Sequence, residues 1–210
     1  MMKAFDRSEL KEAIRGSIKR IYQAQNTKLD LYRNTLDCFS ASIDSVVQGI
    51  SLDEWMKQEK ERQIQKTKQN AIGSLHEEIL GSIAWVSNLP VGQLIDIVSH
   101  EKKVVAERSG YIGYYVEILP KGQKAYNTPF SPSDNKTKQR RASREDIRQI
   151  DGRSFYELLT GRADAIDELY QELPKITAEI IKEEFGKGLD SNLVSSSPTF
   201  DFNFEKAYGN

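Results

Sequence analysis

Apolar residues recur at helical spacing through the first third of the chain. Leu10, Ile14 and Ile18 follow one another at intervals of four residues, and Asp6 with Glu9 forms a candidate capping box before them. A second stripe advances in steps of three and four residues, through Leu29, Tyr32, Leu36, Phe39, Ile43, Val46 and Ile50. Side chains at these steps lie on one face of a helix, so the pattern predicts a core-facing stripe, with a dimer seam as the alternative.

Two further helices are predicted before this pattern changes. Ser51 and Glu54 form a second candidate capping box. Residues 55–69 are so rich in Lys, Glu and Gln that most of them must face water. The next helix is predicted at about 71–83, with an inward face made of Ile72, Leu75, Ile79 and Ile83.

Short β-branched and aromatic runs then replace the helical pattern. Three strands are predicted, at 94–98, 103–107 and 112–119, and the turn at 108–110 makes the last two a candidate antiparallel hairpin. The polar stretch 121–146 predicts a long loop of the kind that often carries function.

The last part of the chain returns to helices. Residues 147–150 predict a short strand, and 154–160 and 164–184 predict two helices. The Gly/Ser-rich tail is either partly disordered or lies on the body or on a partner through Phe200, Phe202 and Phe204. The order predicts an α+β (α/β layered) fold, with a helical N-terminal region at 1–70, a core at 71–185 and a tail at 186–210 in one folded unit.

Composition narrows the class of protein. The 210 residues carry 30 Lys and Arg against 31 Asp and Glu, a net charge of −1, so affinity for nucleic acid must come from local clusters of positive charge. The single cysteine, Cys38, excludes an intramolecular disulfide and fits a reducing compartment. Because there is no membrane-length apolar run and no signal-peptide core, we expect a soluble, cytoplasmic protein.

Three carboxylates are candidates for chemistry. Asp96 lies in one predicted strand and Glu107 ends the next, so the two can converge on one point, where hard oxygen ligands suit Mg²⁺. Glu78 flanks the inward face of the preceding helix and can reach the same point. The alternative is ordinary acidic residues at strand ends and on a solvated helix flank, since such pairs are common by accident. His76 and His100 lack a companion at metal-ligand spacing, which argues against a zinc site.

A basic run follows the three predicted strands. Clustered donors of this kind suit phosphates, and arginine can also bind guanine through two hydrogen bonds. A solvated charged loop is an equal alternative on composition alone. The run consists of Lys136, Lys138, Arg140, Arg141, Arg144 and Arg148, against Glu145 and Asp146, with Asn127 and Asn135 nearby as neutral hydrogen-bonding groups.

Several blocks of sequence, in a fixed order, resemble the small type II restriction endonucleases that recognise GGNCC. The blocks are "SLHEEILGSIAW", "DIVSHEKKVVAE", "YYVEILPK", "YNTPFSPSDN", "IRQIDGRSFYELLTG" and "AIDELYQELP". The resemblance covers residues 74–174, with weaker similarity before them. Ordered blocks are far more specific than any single motif.

The resemblance implies a nuclease core of the PD-(D/E)xK type, also called restriction-endonuclease-like. It implies that Asp96 and Glu107 are catalytic residues that hold Mg²⁺, and that Glu78 is a supporting helix carboxylate. It further implies double-stranded DNA as substrate, a homodimer, and a cognate DNA methyltransferase that protects host DNA. DNA contacts are expected from Asn127, Ser133, Asn135, Lys136, Lys138, Arg140, Arg141, Arg144 and Arg148.

One departure from the family lies two residues after Glu107. The motif has a lysine there, and this chain has Ser109. Family members also carry a further segment before the Tyr-rich strand, so "AERSGYIGYYVEIL" resembles the product of an internal deletion. Three interpretations stay open: an active site-specific endonuclease, an inactive DNA-binding relic, and a helical interaction protein that uses the apolar stripe.

Overall fold

Helices precede and follow the strands along the chain, and one of the two small sheets is mixed, which confirms the predicted α+β class. The structure, a computed structural model, describes residues 2–26, 36–88, 97–99, 112–117, 127–130 and 144–208. Its helices are α1 (Arg7–Asn26), α2 (Cys38–Gln48), α3 (Leu52–Gly73), α4 (Leu75–Gly81), α5 (Gly152–Thr160), α6 (Ala165–Phe185), α7 (Asn192–Ser195) and α8 (Pro198–Tyr208). Its strands are β1 (Val86–Asn88), β2 (Ile97–Ser99), β3 (Gly113–Glu117), β4 (Thr128–Phe130) and β5 (Arg144–Asp151).

The chain divides into two compact units. The first unit contains Met1–Ile14 and Glu77–Asn210, and the second contains Arg15–His76. The predicted boundaries at residues 70 and 185 stay a prediction. No helix in the described part of the chain is both long enough and apolar enough to span a membrane.

Helix α1 begins as the sequence predicts. The Asp6 Oδ1 atom accepts hydrogen bonds from the backbone N–H of Ser8 at 2.8 Å and of Glu9 at 2.9 Å, which satisfies donors that a helix start leaves open. Leu10 and Ile14 are fully buried. The spacing of four residues therefore does mark the buried face of α1.

The apolar stripe of α2 does not face a core. Phe39 and Val46 are each 83% exposed and Ile43 is 62% exposed, so the predicted core-facing stripe is wrong for these three residues. The helix packs on α3, and its buried residues are the small Ala41 and Ser45. Because a helix can bury only one face against one neighbour, contact through the small residues leaves the large side chains on the open face. Leu29 and Tyr32 lie outside the described residues.

Helix α3 carries the predicted capping box. The Ser51 side chain accepts from the backbone N–H of Glu54, and the Glu54 carboxylate accepts from the backbone N–H of Ser51. The helix runs on to Gly73, past the predicted start of the next helix, and Ile72 is 50% exposed rather than inward. The predicted inward positions Ile79 and Ile83 are buried.

The strands form two small sheets. Strands β1 and β2 pair antiparallel, with Val86 opposite Ser99 and Asn88 opposite Ile97. The second sheet has the order β3-β5-β4, in which β3 is parallel and β4 antiparallel to β5.

The second sheet corrects the prediction of one long loop. Strand β4 and the first residues of β5 lie inside 121–146, the predicted loop. The three residues of β4 are too few to show an alternating pattern, so only the pairing with β5 reveals this strand. Of the predicted hairpin, β3 confirms the second strand, and 103–107 lies outside the described residues.

Helices α5 and α6 supply much of the core of the first unit. Asp151, at the end of β5, caps α5 by accepting from the backbone N–H of Ser154 at 3.0 Å. Tyr156 is fully buried and meets the Phe5 ring edge-on at 6.2 Å between centroids. The remaining fully buried side chains of these helices are Leu159, Ile176 and Ile180.

The C-terminal tail lies on the body. The Tyr170 ring stacks on Phe200, with centroids 4.1 Å apart, and contacts Phe204 at 4.6 Å. Its hydroxyl donates to the Phe200 carbonyl at 3.2 Å. The prediction that aromatic residues attach the tail is confirmed for Phe200 and Phe204, which are buried, whereas Phe202 is 59% exposed.

A charged cluster joins the start of α1 to α6. The Arg7 guanidinium donates to both carboxylate oxygens of Glu179, at 3.0 and 2.6 Å, and the Lys11 ammonium donates to Glu179 at 3.1 Å. Lys11 also pairs with Glu183 at 2.5 Å. The hydrogen bonds from Arg7 and the nearby positive charges lower the pKa of Glu179 from 4.5 to about 2.

We expect Glu179→Gln to lower the free energy of unfolding at pH 7 by about 0.5–1 kcal/mol, because solvent screens this partly exposed cluster. A carboxylate whose pKa is depressed in the folded state stabilises the protein above its unfolded pKa and loses that effect as pH falls toward its folded pKa. The difference from the wild type should therefore shrink from pH 4.5 toward pH 2. Urea unfolding across this range measures it. The exposed Glu157→Gln variant is the control, and a pH-independent difference would contradict the prediction.

Candidate functional site

Two paired strands hold both ends of the basic segment. Phe130, the last residue of β4, lies opposite Arg144, the first residue of β5. The intervening residues 131–143 contain four basic side chains and one acidic side chain, a local net charge of +3 in a chain whose total is −1. The segment therefore starts and ends at one place on the sheet. The predicted DNA-contact residues Ser133, Asn135, Lys136, Lys138, Arg140 and Arg141 belong to it and lie outside the described residues.

The predicted contact residues Asn127 and Arg148 lie together at the edge of this sheet. The Arg148 Nε atom donates to the Asn127 carbonyl at 2.9 Å and to its Oδ1 atom at 2.6 Å, and Nη2 donates to the same carbonyl. Arg148 Nη1 donates to Glu145 Oε2 at 3.2 Å. Much of the hydrogen-bonding capacity of the Arg148 guanidinium is therefore used within the protein, on Asn127, which immediately precedes β4.

The pairing of β4 with β5 is irregular beside this contact. Pro129 lies opposite Arg148, whereas the next residue, Phe130, lies opposite Arg144, so the register shifts between them. A bulge of this kind redirects side chains and is frequent beside functional sites. Asn127 has a φ of 37°, in the left-handed region that asparagine tolerates better than most residues.

Stacked aromatic rings support the same sheet. The rings of Tyr115 on β3 and Phe130 on β4 are nearly parallel, with centroids 4.6 Å apart and an interplanar angle of 7°. Tyr114 contacts Phe155 of α5 at 6.0 Å. The sheet that carries the basic segment is thus fixed on one side to α5 and across its face by the Tyr115–Phe130 stack.

The helix that carries Glu78 leads directly into β1. Glu78 is half-buried in α4, beside the buried Ile79 and Leu80. His76 on the same helix is half-buried too, and burial lowers its pKa, which favours the neutral ring. Trp85, between α4 and β1, has a φ of 64°, a left-handed conformation that costs a bulky residue on the order of 1–3 kcal/mol.

Strand β1 follows α4 after residues 82–85 and pairs with β2 in a ladder of three residue pairs, from Val86 opposite Ser99 to Asn88 opposite Ile97. The ladder spans about 7 Å at roughly 3.4 Å per residue. Asp96 precedes β2 in the sequence and lies outside the described residues, so a site that it shares with Glu78 stays a prediction.

The other predicted catalytic positions lie outside the described residues. They are Asp96 itself, Glu107 and the position of the missing lysine, Ser109. In the part of the chain that the structure describes, no three carboxylate, histidine or cysteine side chains come close enough to hold a metal ion. The proposed metal ligands thus stay predictions.

Three features of this region were not found by sequence reasoning. Glu145, counted there as an acidic interruption of the basic run, is the ion-pair partner of Arg148. The Tyr115–Phe130 stack crosses β5, and no local spacing relates two strands that are joined through a third. The left-handed Trp85 carries no sequence signal, because φ > 0 is ordinarily indicated by Gly or Asn.

Comparison with known proteins identifies relatives along most of the chain. The sequence model of the Eco47II restriction endonuclease family matches residues 3–111 and 107–182. The type II restriction enzyme Eco47II of Escherichia coli is 32% identical, over 84% of this chain and 85% of the relative. The type II restriction enzyme Sau96I of Staphylococcus aureus is 27% identical, over 68% of this chain and 66% of the relative. No solved structure matches the chain.

Both pairwise alignments are longer than the part of this chain that they cover. The alignment with the E. coli enzyme has 207 positions, whereas 84% of 210 residues is about 176, which leaves about 31 positions without a residue of this chain. The alignment with the S. aureus enzyme has 172 positions against about 143 residues, a shortfall of about 29. The family match also breaks into two segments, which overlap at 107–111.

We expect Arg148→Lys to loosen the start of β4, because lysine lacks the fork of N–H groups that reaches both oxygens of Asn127. Loss of about 1 kcal/mol of local stability corresponds to roughly fivefold faster amide exchange over residues 127–130. Hydrogen–deuterium exchange measures this change. Arg162→Lys, in the turn before α6, is the matched control. Unchanged exchange at β4 would show that the Arg148 contact does not hold this strand.

Proposed function

The chain belongs to the Eco47II restriction endonuclease family, and from that premise we propose that it is a type II site-specific deoxyribonuclease. The proposed substrate is double-stranded DNA with a short palindromic site of the GGNCC type. The proposed setting is a restriction-modification system, in which a cognate methyltransferase protects the host's own sites. The observation that carries this proposal is similarity to the family along residues 3–182, which include the candidate carboxylates and the basic segment.

The donor set of the candidate centre suits Mg²⁺. Asp96 and Glu107 supply hard carboxylate oxygens, and Mg²⁺ is commonly held by one or two carboxylates together with substrate phosphate. When bound, the ion supplies Lewis acidity, which activates an attacking water and offsets the negative charge that grows on the scissile phosphate. In the proposed site Asp96 and Glu107 hold the ion. Glu78 adds a supporting carboxylate from α4.

The basic segment supplies the proposed attraction to DNA. Its charge of +3 is concentrated in 13 residues between β4 and β5, so it can neutralise several phosphates although the whole chain is slightly acidic. Paired strands at both ends reduce the conformational freedom that the segment loses on binding. Arg148 acts mainly as a positioning residue in this proposal, because its guanidinium already binds Asn127 and Glu145.

Two copies of the chain are proposed to act together. A palindromic site presents the same base pattern twice, related by two-fold symmetry, and a symmetric homodimer matches this arrangement with one site for each strand. Each copy then cuts one strand.

A second candidate function is a DNA-binding relic that cuts slowly or not at all. Two observations favour it: Ser109 stands where the motif has lysine, and about 30 family positions have no counterpart in this chain. The missing ammonium would otherwise position the attacking water and stabilise phosphate charge. Loss of one such donor commonly costs on the order of 10²–10³ in rate.

We expect the wild-type chain to cut a GGNCC duplex in Mg²⁺ and to leave a scrambled duplex intact. In Ca²⁺ it should bind the GGNCC duplex without cutting it. Asp96→Asn should lose at least 10²-fold in cleavage rate and still bind in Ca²⁺, because the carboxylate serves the metal rather than the bases. Gel cleavage and fluorescence-anisotropy binding measure the two activities. Asp190→Asn, in the linker before α7, is the control.

The outcomes separate the two candidate functions. Cleavage confined to the GGNCC duplex supports the endonuclease, and cleavage by Asp96→Asn at the wild-type rate would exclude Asp96 as a metal ligand. Specific binding without cleavage selects the relic. Absence of binding to either duplex at low salt would contradict both.

Ser109→Lys separates the two candidate functions. In an active endonuclease we expect it to change the single-turnover cleavage rate little, whereas in a relic it should raise that rate by about 10-fold or more, because it returns an ammonium two residues after Glu107. Ser109→Gln is the control for side-chain length without charge. A rate unchanged by lysine would mean that another group already performs this role. Single-turnover kinetics in Mg²⁺ on the GGNCC duplex make the measurement.

A further inference from the structure

Helix α2 presents a large apolar face to solvent. The face consists of Phe39, Ile43, Val46 and Val47, of which all but Ile43 are at least 79% exposed and Ile43 is 62% exposed. At 100° per residue these side chains lie within an arc of about 100°. The buried residues Ala41 and Ser45, on the side that packs on α3, lie opposite this arc. The α2 face is therefore the side of the helix that α3 leaves open.

The spacing of this face is that of a helix–helix seam. Within α2, Phe39, Ile43 and Val46 advance in steps of four and three residues, and in the sequence the same steps continue to Leu36 and Ile50, which lie just outside the helix. This is the spacing of the heptad repeat of paired helices, in which apolar side chains of one helix fit between those of its partner. A helix that merely covers a core generally has a wider and less regular apolar stripe.

The electrostatics of α2 favour a second copy as the occupant. Among its 11 residues Asp44 alone is charged, and it lies about 100° from Ile43, at the flank of the face. In a two-fold symmetric pair, residues near the axis meet their own counterparts, so like charges there would repel. An uncharged, self-complementary face has no such cost. Apart from Asp44, α2 also has none of the flanking charges through which a helix commonly selects a different partner.

The exposed area is sufficient for a pair of copies. Weighted by their exposed fractions, four large side chains of roughly 150–200 Å² each expose about 500 Å². The largest apolar patch on a typical monomer is about 300–600 Å² and is often functional. Two such faces buried against each other give about 1,000 Å², which is the lower limit for a biological interface.

We propose that the α2 face is the surface through which two copies of this chain associate, with α2 packed against α2 about a two-fold axis near Ile43. The requirement for two copies rests on the proposed function. The choice of surface rests on the apolar pattern and the exposure of α2. The inference assigns dimerisation to a helix of the second unit, whereas the proposed DNA contacts belong to the first unit.

The first test is the mass of the full-length chain without DNA, by sedimentation equilibrium. The wild type should be a dimer at about 10 µM, in the range of modest interfaces. Ile43→Glu should raise the dissociation constant at least 10-fold, because two carboxylates meet at the axis. Gln48→Glu adds the same charge to an exposed position about 140° away and should stay dimeric. Circular dichroism melts verify that both variants fold.

The second test is disulfide cross-linking with copper phenanthroline as oxidant. Position 43 lies at the middle of α2, so it meets its own counterpart whether the helices run parallel or antiparallel. Ile43→Cys in a Cys38→Ser background should form a covalent dimer, with two thiols oxidised to one disulfide. The wild type is the matched control, because its exposed Cys38 lies on the same helix but about 140° from Ile43. It should cross-link much more slowly.

The outcomes distinguish this inference from the proposed function. A wild type that stays monomeric at about 10 µM, an Ile43→Glu variant that stays dimeric, or equal cross-linking through Cys38 would each overturn the α2 interface. None of these three results depends on DNA. Dimerisation through α2 without DNA binding would leave the interface intact and contradict the endonuclease.

Discussion

The hydrogen-bonded pairing of β5 with two other strands is the constraint on which the candidate DNA-binding region of this protein depends. Strand β5 joins β3 on one side and β4 on the other, and its last residue, Asp151, caps α5. Through these contacts one strand fixes the aromatic packing of β3, both ends of the basic segment and the start of the helical core. A change in the register of β5 would move all three, since a shift of one residue turns every side chain to the other face.

The charge of this protein is organised locally rather than globally. The net charge of the whole chain is −1, but the segment between β4 and β5 has a net charge of +3. Helix α6 carries acidic residues, of which Glu179 binds Arg7 and Lys11. The two regions use the same kinds of side chain differently. Arg7 and Lys11 join the start of α1 to α6, whereas the segment 131–143 carries four basic residues against one acidic residue. Composition alone cannot separate these uses.

The sequence predicted which residues belong to the candidate site. It predicted few of the contacts between them. The blocks that resemble the endonuclease family predict Asp96 and Glu107 by motif position, and both residues lie within the part of the chain that the family model matches. Sequence reasoning also grouped Asn127 with Arg148 as DNA contacts. It did not anticipate that the two bind each other, because the contact joins residues 21 positions apart and no local pattern encodes it. Glu145 was missed because it lies in the β5 segment where the pairing with β4 changes register, which the sequence pattern does not reveal.

The sequence by itself determined the features that depend on near neighbours along the chain. The Ser51–Glu54 capping box, the Asp6 cap and the buried spacing of α1 each follow from residues within one or two turns. The sequence also determined that α2 has one large apolar face. Only the tertiary structure decided that Phe39 and Val46 on this face are exposed while Ala41 and Ser45 are buried. Periodicity defines a face, but burial requires a partner, and the identity of that partner comes from parts of the molecule that the local pattern does not include.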